Sequence, residues 1–352
     1  MGPGGSGGRR ASHSADRNPL ANALRRLRAA PRPRDRADRA PLAAAPWGAD
    51  PPAPCATGRP VTDPIVVAVD IGGTKIAAAR VSSGRVLDRR EVPTPAREGP
   101  QAVVQAALDL LADWCTDAVA LGVASGGVVH HGRVVLSNPK ILPGWTGLDL
   151  GGIFRSATGL PVRVLNDAQA AAWGEYRYGA ARGLRSVAFV TVSTGVGAGL
   201  VVDGRLVTGR RGLAGHLGHT QVDPQGEVCG CGRVGCVETV ASGTALVRMA
   251  QAVFGAALDP RALFERAATG DVRGIRIVEA AVQALAQALG NLQALVDPEL
   301  MILGGGIGLN PFYRNCLLQT LGTLPEPFRP QLGEGMLGAD AGLVGAAAWA
   351  IA

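Results

Sequence analysis

The sequence predicts two α/β lobes facing a cleft, and three observations carry that expectation. Ile65-Val-Val-Ala-Val-Asp-Ile71 is a continuous, largely β-branched apolar run, the mark of a strand buried on both faces. It opens a strand, strand, strand, helix, strand order. The same order starts again at Ser186. Two copies of one such unit make two packed layers of sheet and helix, and ligands settle in the crevice between lobes.

In chain order, Gly72-Gly73 turns the first strand back into a second, Lys75 to Val81. Ser82-Ser-Gly-Arg85 turns it again into Val86-Leu87-Asp88. Gln101 to Trp114 carries Val103, Ala107, Leu110, Leu111 and Trp114 at helical spacing. Ala118 to Val123 is the next buried strand, and Val162 to Leu165 precedes a helix that begins at Asn166-Asp167. The second unit reads as Val187 to Val192, Gly199 to Val202, a Gly204-Arg205 turn and Leu206 to Thr208. A long helical region (Asp271 to Val296), a strand (Leu300 to Leu303) and a final helix (Gly342 to Ile351) follow. The expected division is a 64–165 lobe, completed by residues 340–352, and a 166–339 lobe.

Length and composition agree: 352 residues are enough for two cores, and 47% hydrophobic with 18% charged residues describes a globular chain. The net charge of +7 suggests nucleic acid until it is placed along the chain. Residues 1–63 hold 11 of the 35 basic and 5 of the 28 acidic residues, leaving 24 against 23 in the remainder. The body is nearly neutral, so no basic groove and no nucleic-acid partner are expected. The first 63 residues are rich in Arg, Pro, Ala and Gly and are expected to be a disordered extension. One stretch, Pro19 to Ala30, could make three helical turns, but a helix-turn-helix needs at least two packed apolar helices. No apolar run reaches the roughly 18–20 residues of a membrane span. The opening Met1-Gly-Pro-Gly-Gly-Ser-Gly-Gly also lacks the apolar core of a secretory signal, so a cytoplasmic protein away from the membrane is expected.

Four motifs carry chemistry. Asp70-Ile-Gly-Gly-Thr-Lys75 lies on the first hairpin turn, where glycines admit phosphate oxygens to backbone N–H groups. Thr74 adds a hydroxyl, Lys75 a positive charge, and Asp70 a carboxylate able to hold Mg²⁺ through water. It is not a Walker loop, and the competing reading is a plain Gly-Gly hairpin. Val192-Ser-Thr-Gly-Val-Gly-Ala-Gly199 opens the second unit in the matching place, so the two suggest a pair of phosphate clamps. Asp167, at a strand end, reads either as a helix N-cap or as the base that phosphoryl transfer to a hydroxyl needs. His219-x9-Cys229-x-Cys231-x4-Cys236 is the strongest signal: three thiolates and one imidazole form a closed structural Zn²⁺ set. Cys55, Cys115 and Cys316 are scattered, and in a cytosolic chain a tight cluster reads as metal site over disulfide. His130 and His131 read as exposed loop residues.

Gly215-His-Leu-Gly-His219, the Cys-Gly-Cys-Gly-x-x-Gly-Cys-x-Glu run ending at Glu238, and Asp70-Ile-Gly-Gly-Thr-Lys75 together resemble the ROK family of sugar kinases and repressors. The resemblance covers about residues 65–352. It implies a two-lobed actin/hexokinase-like (ribonuclease H-like) fold, ATP with Mg²⁺, and a homodimer. It makes Asp167 the acceptor of the sugar 6-hydroxyl proton, with Asn166, Glu238 and the zinc ligand His219 on other hydroxyls. Gly127 and Asn138 fall where the family lines its sugar pocket. Ala68, Val69, Asp70, Ile71, Gly72, Gly73, Thr74 and Lys75 would hold nucleotide phosphates from one lobe. Thr194, Gly195, Val196, Gly197, Ala198 and Gly199 would do so from the other, with Gly305 and Gly306 beside the adenosine.

Within the family, five stretches resemble the members that phosphorylate N-acetylmannosamine during sialic acid (N-acetylneuraminate) breakdown. They are Arg90-Glu-Val-Pro-Thr-Pro-Ala96, Leu165-Asn-Asp-Ala-Gln-Ala-Ala-Ala-Trp173, Val192-Ser-Thr-Gly-Val-Gly197, Gly212-Leu-Ala-Gly-His-Leu-Gly-His-Thr220 and Asp340-Ala-Gly-Leu-Val-Gly-Ala346. Many ROK sugar kinases carry Glu three residues before the zinc histidine; here that position is His216, as in that subgroup. The rival readings are glucose or N-acetylglucosamine as substrate, or a repressor that takes sugar as inducer. The last needs an N-terminal winged helix.

Overall fold

The structure is a computed structural model and describes residues 63–255 and 258–352, with Met1 and Gly2. The expected extension and its Pro19–Ala30 stretch lie almost wholly outside the described residues.

Two five-stranded sheets share one topology. The first has the order β3-β2-β1-β4-β7, from β1 (Val66–Ile71), β2 (Lys75–Ser82), β3 (Arg85–Pro93), β4 (Ala120–Ser125) and β7 (Val162–Asn166). The second has the order β10-β9-β8-β11-β12, from β8 (Val187–Val192), β9 (Val196–Val202), β10 (Arg205–Leu206), β11 (Leu300–Gly304) and β12 (Leu332–Glu334). In each, three strands form an antiparallel meander and the next two add in parallel beside the first. β5 (Val128–His130) and β6 (Arg133–Leu136) make a separate hairpin.

The strand β3 runs five residues beyond the Asp88 end expected from sequence. Its exposed residues Arg85, Asp88 and Glu91 follow no apolar alternation, so the continuation of its pairing with β2 past Asp88 was invisible in the pattern.

The outer face of the first sheet packs under α1 (Pro100–Leu111) and α2 (Leu150–Thr158). Its inner face carries mostly alanines (Ala68, Ala77, Ala79, Ala120, Ala124), which meet α9 (Ala341–Ala350). The second sheet turns Val187, Phe189, Val201 and Ile302 toward α3 (Asp167–Tyr178). Its other face packs with helices including α5 (Gly243–Phe254), α6 (Pro260–Ala268), α7 (Val272–Val296) and α8 (Pro311–Gly322). A four-residue helix, α4 (Glu238–Ala241), leads into α5.

The helices α3 and α9 press together between the sheets because both present small residues there. A side chain at Gly345 would overlap the Ala170 carbonyl, and one at Gly122 of β4 would overlap that of Ala346. Such close approach lets the first turn of α3 and the start of α9 line one cleft.

Candidate active site

The cleft has a volume of about 420 Å³ and is bounded by both sheets. Asn166, the last residue of β7, is the N-cap of α3: its Oδ1 accepts N–H bonds from Ala168 (3.0 Å) and Gln169 (3.2 Å). The capping role weighed for Asp167 is thus filled by its neighbour. Asp167, at the first helical position, accepts from Ala168 N–H (2.8 Å) and Asn166 Nδ2 (2.8 Å) through Oδ1. Asn166 Nδ2 also reaches the Gly127 carbonyl at 3.0 Å, and Gly127 itself needs its positive φ of 93° to bring that carbonyl in. Burial raises the Asp167 pKa, and the Ala168 N–H, His216 and Asn166 oppose the rise.

Asp70 lies one residue before the end of β1 and is held against the start of α9, where a side chain on Gly342 would touch its carboxylate. Its pKa is pushed up to about 7, chiefly by burial, then by the charge on Asp167, with Lys75 working the other way. Lys75 pairs with Glu91 at 3.3 Å. In the second sheet, Thr191 occupies the position of β8 that Asp70 occupies in β1, and it also lines the cleft. Thr191 went unnoticed in the sequence because the duplicated units carry different side chains there, Asp and Thr.

The two glycine loops line the cleft together, through Gly72, Gly73, Thr74 and Lys75 from one and Thr194, Gly195, Val196, Gly197 and Ala198 from the other. Gly305, with φ of 82°, packs against the Val192 carbonyl and Thr191 and joins them. Five residues expected near the nucleotide do not line the cleft. Ala68, Val69 and Ile71 are fully buried strand residues that fill the core. Gly199 is a packing glycine, since a side chain there would strike Ala168 and Ala172 of α3. Gly306 is exposed beyond the rim.

On the opposite wall sit Asn138, His216, His219 and Glu238. Glu238 Oε2 accepts the Val196 N–H at 3.1 Å, tying the start of α4 to the second glycine loop. Burial raises the Glu238 pKa against the pull of the Val196 N–H and His216. The imidazole of His216 stacks on that of His219 with centroids 6.3 Å apart. Both His216 ring nitrogens are buried without a hydrogen-bond partner among the described residues. Burial first, and His219 second, lower its pKa, while Asp167 and the backbone of Ala214 and Leu213 raise it; the residue lines the cleft.

One ligand atom from each of His219, Cys229, Cys231 and Cys236 lies within 4.8 Å of the others. Cys229 Sγ is 3.6 Å from His219 Nδ1, and Cys231 Sγ is 3.7 Å from Cys236 Sγ. A tetrahedron with Zn–S bonds of about 2.3 Å has edges of about 3.8 Å, so the set fits Zn²⁺. The loop closes through a Cys229 N–H bond to the Arg233 carbonyl (2.7 Å) and positive φ at Gly232 and Gly235. Gly230, between two of the cysteines, packs on the Asn138 side chain, and Gly230 and Cys231 both line the cleft. The metal loop is therefore also a wall of the pocket.

Paired glycine loops, a buried carboxylate between them and a Cys₃His loop on one wall define a two-lobed protein built to hold a phosphate chain beside a polar ligand. The chain belongs to the ROK family, whose sequence profile matches residues 66–352. It is 44% identical over 282 residues to the N-acetylmannosamine kinase of Citrobacter koseri, a match spanning 80% of this chain and 97% of that protein. Among solved structures it resembles the ROK hexokinase from Thermus thermophilus (38% identity, TM-score 0.69, 80% and 96% of the two chains). It also resembles the ROK family glucokinase from Streptomyces griseus in complex with glucose and AMPPNP (35% identity, TM-score 0.69, 81% and 98%). The two-lobed actin/hexokinase-like fold is common to them. None of the described helices is long and apolar enough to cross a membrane.

Proposed function

We propose that the protein transfers the γ-phosphoryl group of ATP to the 6-hydroxyl of N-acetyl-D-mannosamine, giving ADP and N-acetyl-D-mannosamine 6-phosphate, within sialic acid (N-acetylneuraminate) breakdown. The observation that carries this reading is Asp167, half-buried at the first turn of α3, where Asn166 serves as N-cap, and lining the cleft together with His216. Asp167 accepts the hydroxyl proton as the sugar oxygen attacks phosphorus and the bond to the ADP oxygen breaks. The two glycine loops bind the phosphates, and Gly305 borders the nucleotide. Asn138, Asn166, His216, His219 and Glu238 hold the sugar. Asp70 would hold Mg²⁺ through water, an ion that would neutralise charge on the phosphates. His219, Cys229, Cys231 and Cys236 would hold Zn²⁺, which stabilises the wall formed by Gly230 and Cys231. The nearly neutral composition of residues 64–352 supports action on small molecules with no nucleic-acid partner. A cytoplasmic homodimer, away from the membrane, completes the proposal.

The test is Asp167→Asn, which keeps the side-chain shape and removes the proton acceptor. Sugar binding should remain within a few-fold of the unaltered protein while kcat falls by about 10²-fold or more. A kcat within a few-fold of the original would remove Asp167 from the chemistry.

A further inference from the structure

We infer that the protein has a second ligand site, separate from the cleft, that takes a small phosphate-bearing metabolite and acts on the sugar wall. The site is a pocket of about 720 Å³ that shares no lining residue with the cleft. Its size falls in the range of small-molecule sites. The first lobe supplies the β5–β6 turn, Arg155 of α2 and Arg163 of β7; the loop after β10 supplies Arg210.

Charge identifies the ligand class. Arg155, Arg163 and Arg210 converge there with His130 and His131, against one acid, Asp149. That carboxylate is already engaged, accepting the Gly152 N–H (3.0 Å) and pairing with Arg133 (3.4 Å). Among the described residues, none of the three arginines has an ion-pair partner. Arg163 sets its guanidinium 5.6 Å over the Trp349 ring, which orients it at the pocket wall. The protein outside its first 63 residues is nearly neutral, so this excess is local. Guanidinium groups bind phosphate through paired N–H donors, and three of them around one concavity suit a phosphate ester.

The pocket is wired to the cleft by a short loop. Gly209, Arg210 and Gly212 border the pocket, and the same loop runs on to Gly215 and His216 in the cleft. Gln169 of α3, two residues from Asp167, clamps that loop from beneath: its Nε2 donates to the Ala214 carbonyl at 2.9 Å. Gly212 packs so closely on the Val129 carbonyl that a side chain would overlap it. A ligand bridging Arg155 and Arg163 to Arg210 fixes the loop and, through it, His216.

The experiment uses the full chain with the cleft saturated by N-acetylmannosamine and a non-hydrolysable ATP analogue. Glucose 6-phosphate is the probe and glucose the uncharged control, both followed by calorimetry. One equivalent of glucose 6-phosphate should still bind, more weakly as salt rises, while glucose does not. Arg163→Ala and Arg210→Ala should each weaken that binding about tenfold or more, with kcat unchanged in the absence of probe. The bound probe should also shift the KM for N-acetylmannosamine in the unaltered protein and not in Arg163→Ala. Three results would overturn the site: no binding with the cleft filled, undiminished binding in the arginine variants, or a KM that the bound probe does not move. Loss of probe binding in the arginine variants does not depend on the proposed kinase function; the filled-cleft arm and the KM measurement do.

Discussion

Among the described residues both ring nitrogens of His216 are buried without a hydrogen-bond partner, while Asp167 and Glu238 each already hold a backbone N–H. A buried polar atom left unpaired costs about 1–3 kcal/mol, so a ligand that satisfies this ring gains selectivity of about ten- to a hundredfold. A carboxylate at this position only accepts hydrogen bonds, whereas neutral imidazole also donates. His216→Glu should therefore lower kcat/KM for N-acetylmannosamine relative to glucose or N-acetylglucosamine, with zinc content unchanged; unmoved ratios would make the ring a packing residue. Asp70 gives a second prediction, in stability. Its pKa is raised from 3.8 to about 7, so the folded protein keeps the proton after the unfolded chain has lost it. The group's contribution is most favourable at low pH and declines as pH rises through that window. Removing the charge by Asp70→Asn should stabilise the ligand-free protein above pH 7 by about 1 kcal/mol or more, with the difference vanishing toward pH 4. Thermal unfolding across that range checks it, and a variant less stable at pH 8 would contradict it.

At the scale of elements, the Cys₃His loop is the one whose clustering was most legible in the sequence, because residue type and spacing suffice to bring the four side chains together. Each Cys→Ser change at Cys229, Cys231 or Cys236 should abolish zinc binding and lower thermal stability, since bound metal contributes folding free energy. It should raise the KM for sugar too, because Gly230 and Cys231 line the pocket beside Asn138. Metal analysis finding no zinc in fully active protein would refute this. Glycines were less legible. Gly195 and Gly199 belong to one glycine-rich run, yet the first borders the cleft and the second only makes room for α3. The difference lies in a contact some thirty residues away in the chain, which local pattern does not encode. The β1 residues before Asp70 were over-assigned for a related reason: a motif written as a string includes strand residues whose side chains are in the core. That Asn166 is the N-cap while Asp167 lies at the first helical position and lines the cleft was not legible in the sequence, since both residue types cap helices equally well.

For the molecule as a whole, the duplicated strand order was visible because each copy starts on a strand buried at all but its fifth position, and such strands read as near-continuous apolar runs. What the order did not show is that α3 and α9, from distant parts of the chain, meet between the sheets. Their Gly and Ala faces allow that approach and bring Asp167 and the neighbourhood of Asp70 to one cleft. The raised pKa of Asp70, partly from Asp167, is a direct consequence of that assembly. A shared cleft of this kind, lined by a glycine loop from each lobe and by polar side chains, underlies the proposed substrate. The most direct test is coupled ADP release by the full chain with N-acetylmannosamine, N-acetylglucosamine, glucose and mannose as acceptors. The account predicts the highest kcat/KM for N-acetylmannosamine. A higher value for glucose would contradict it, and ADP release with none of the four would contradict the kinase reading itself if it remained at the rate seen without sugar.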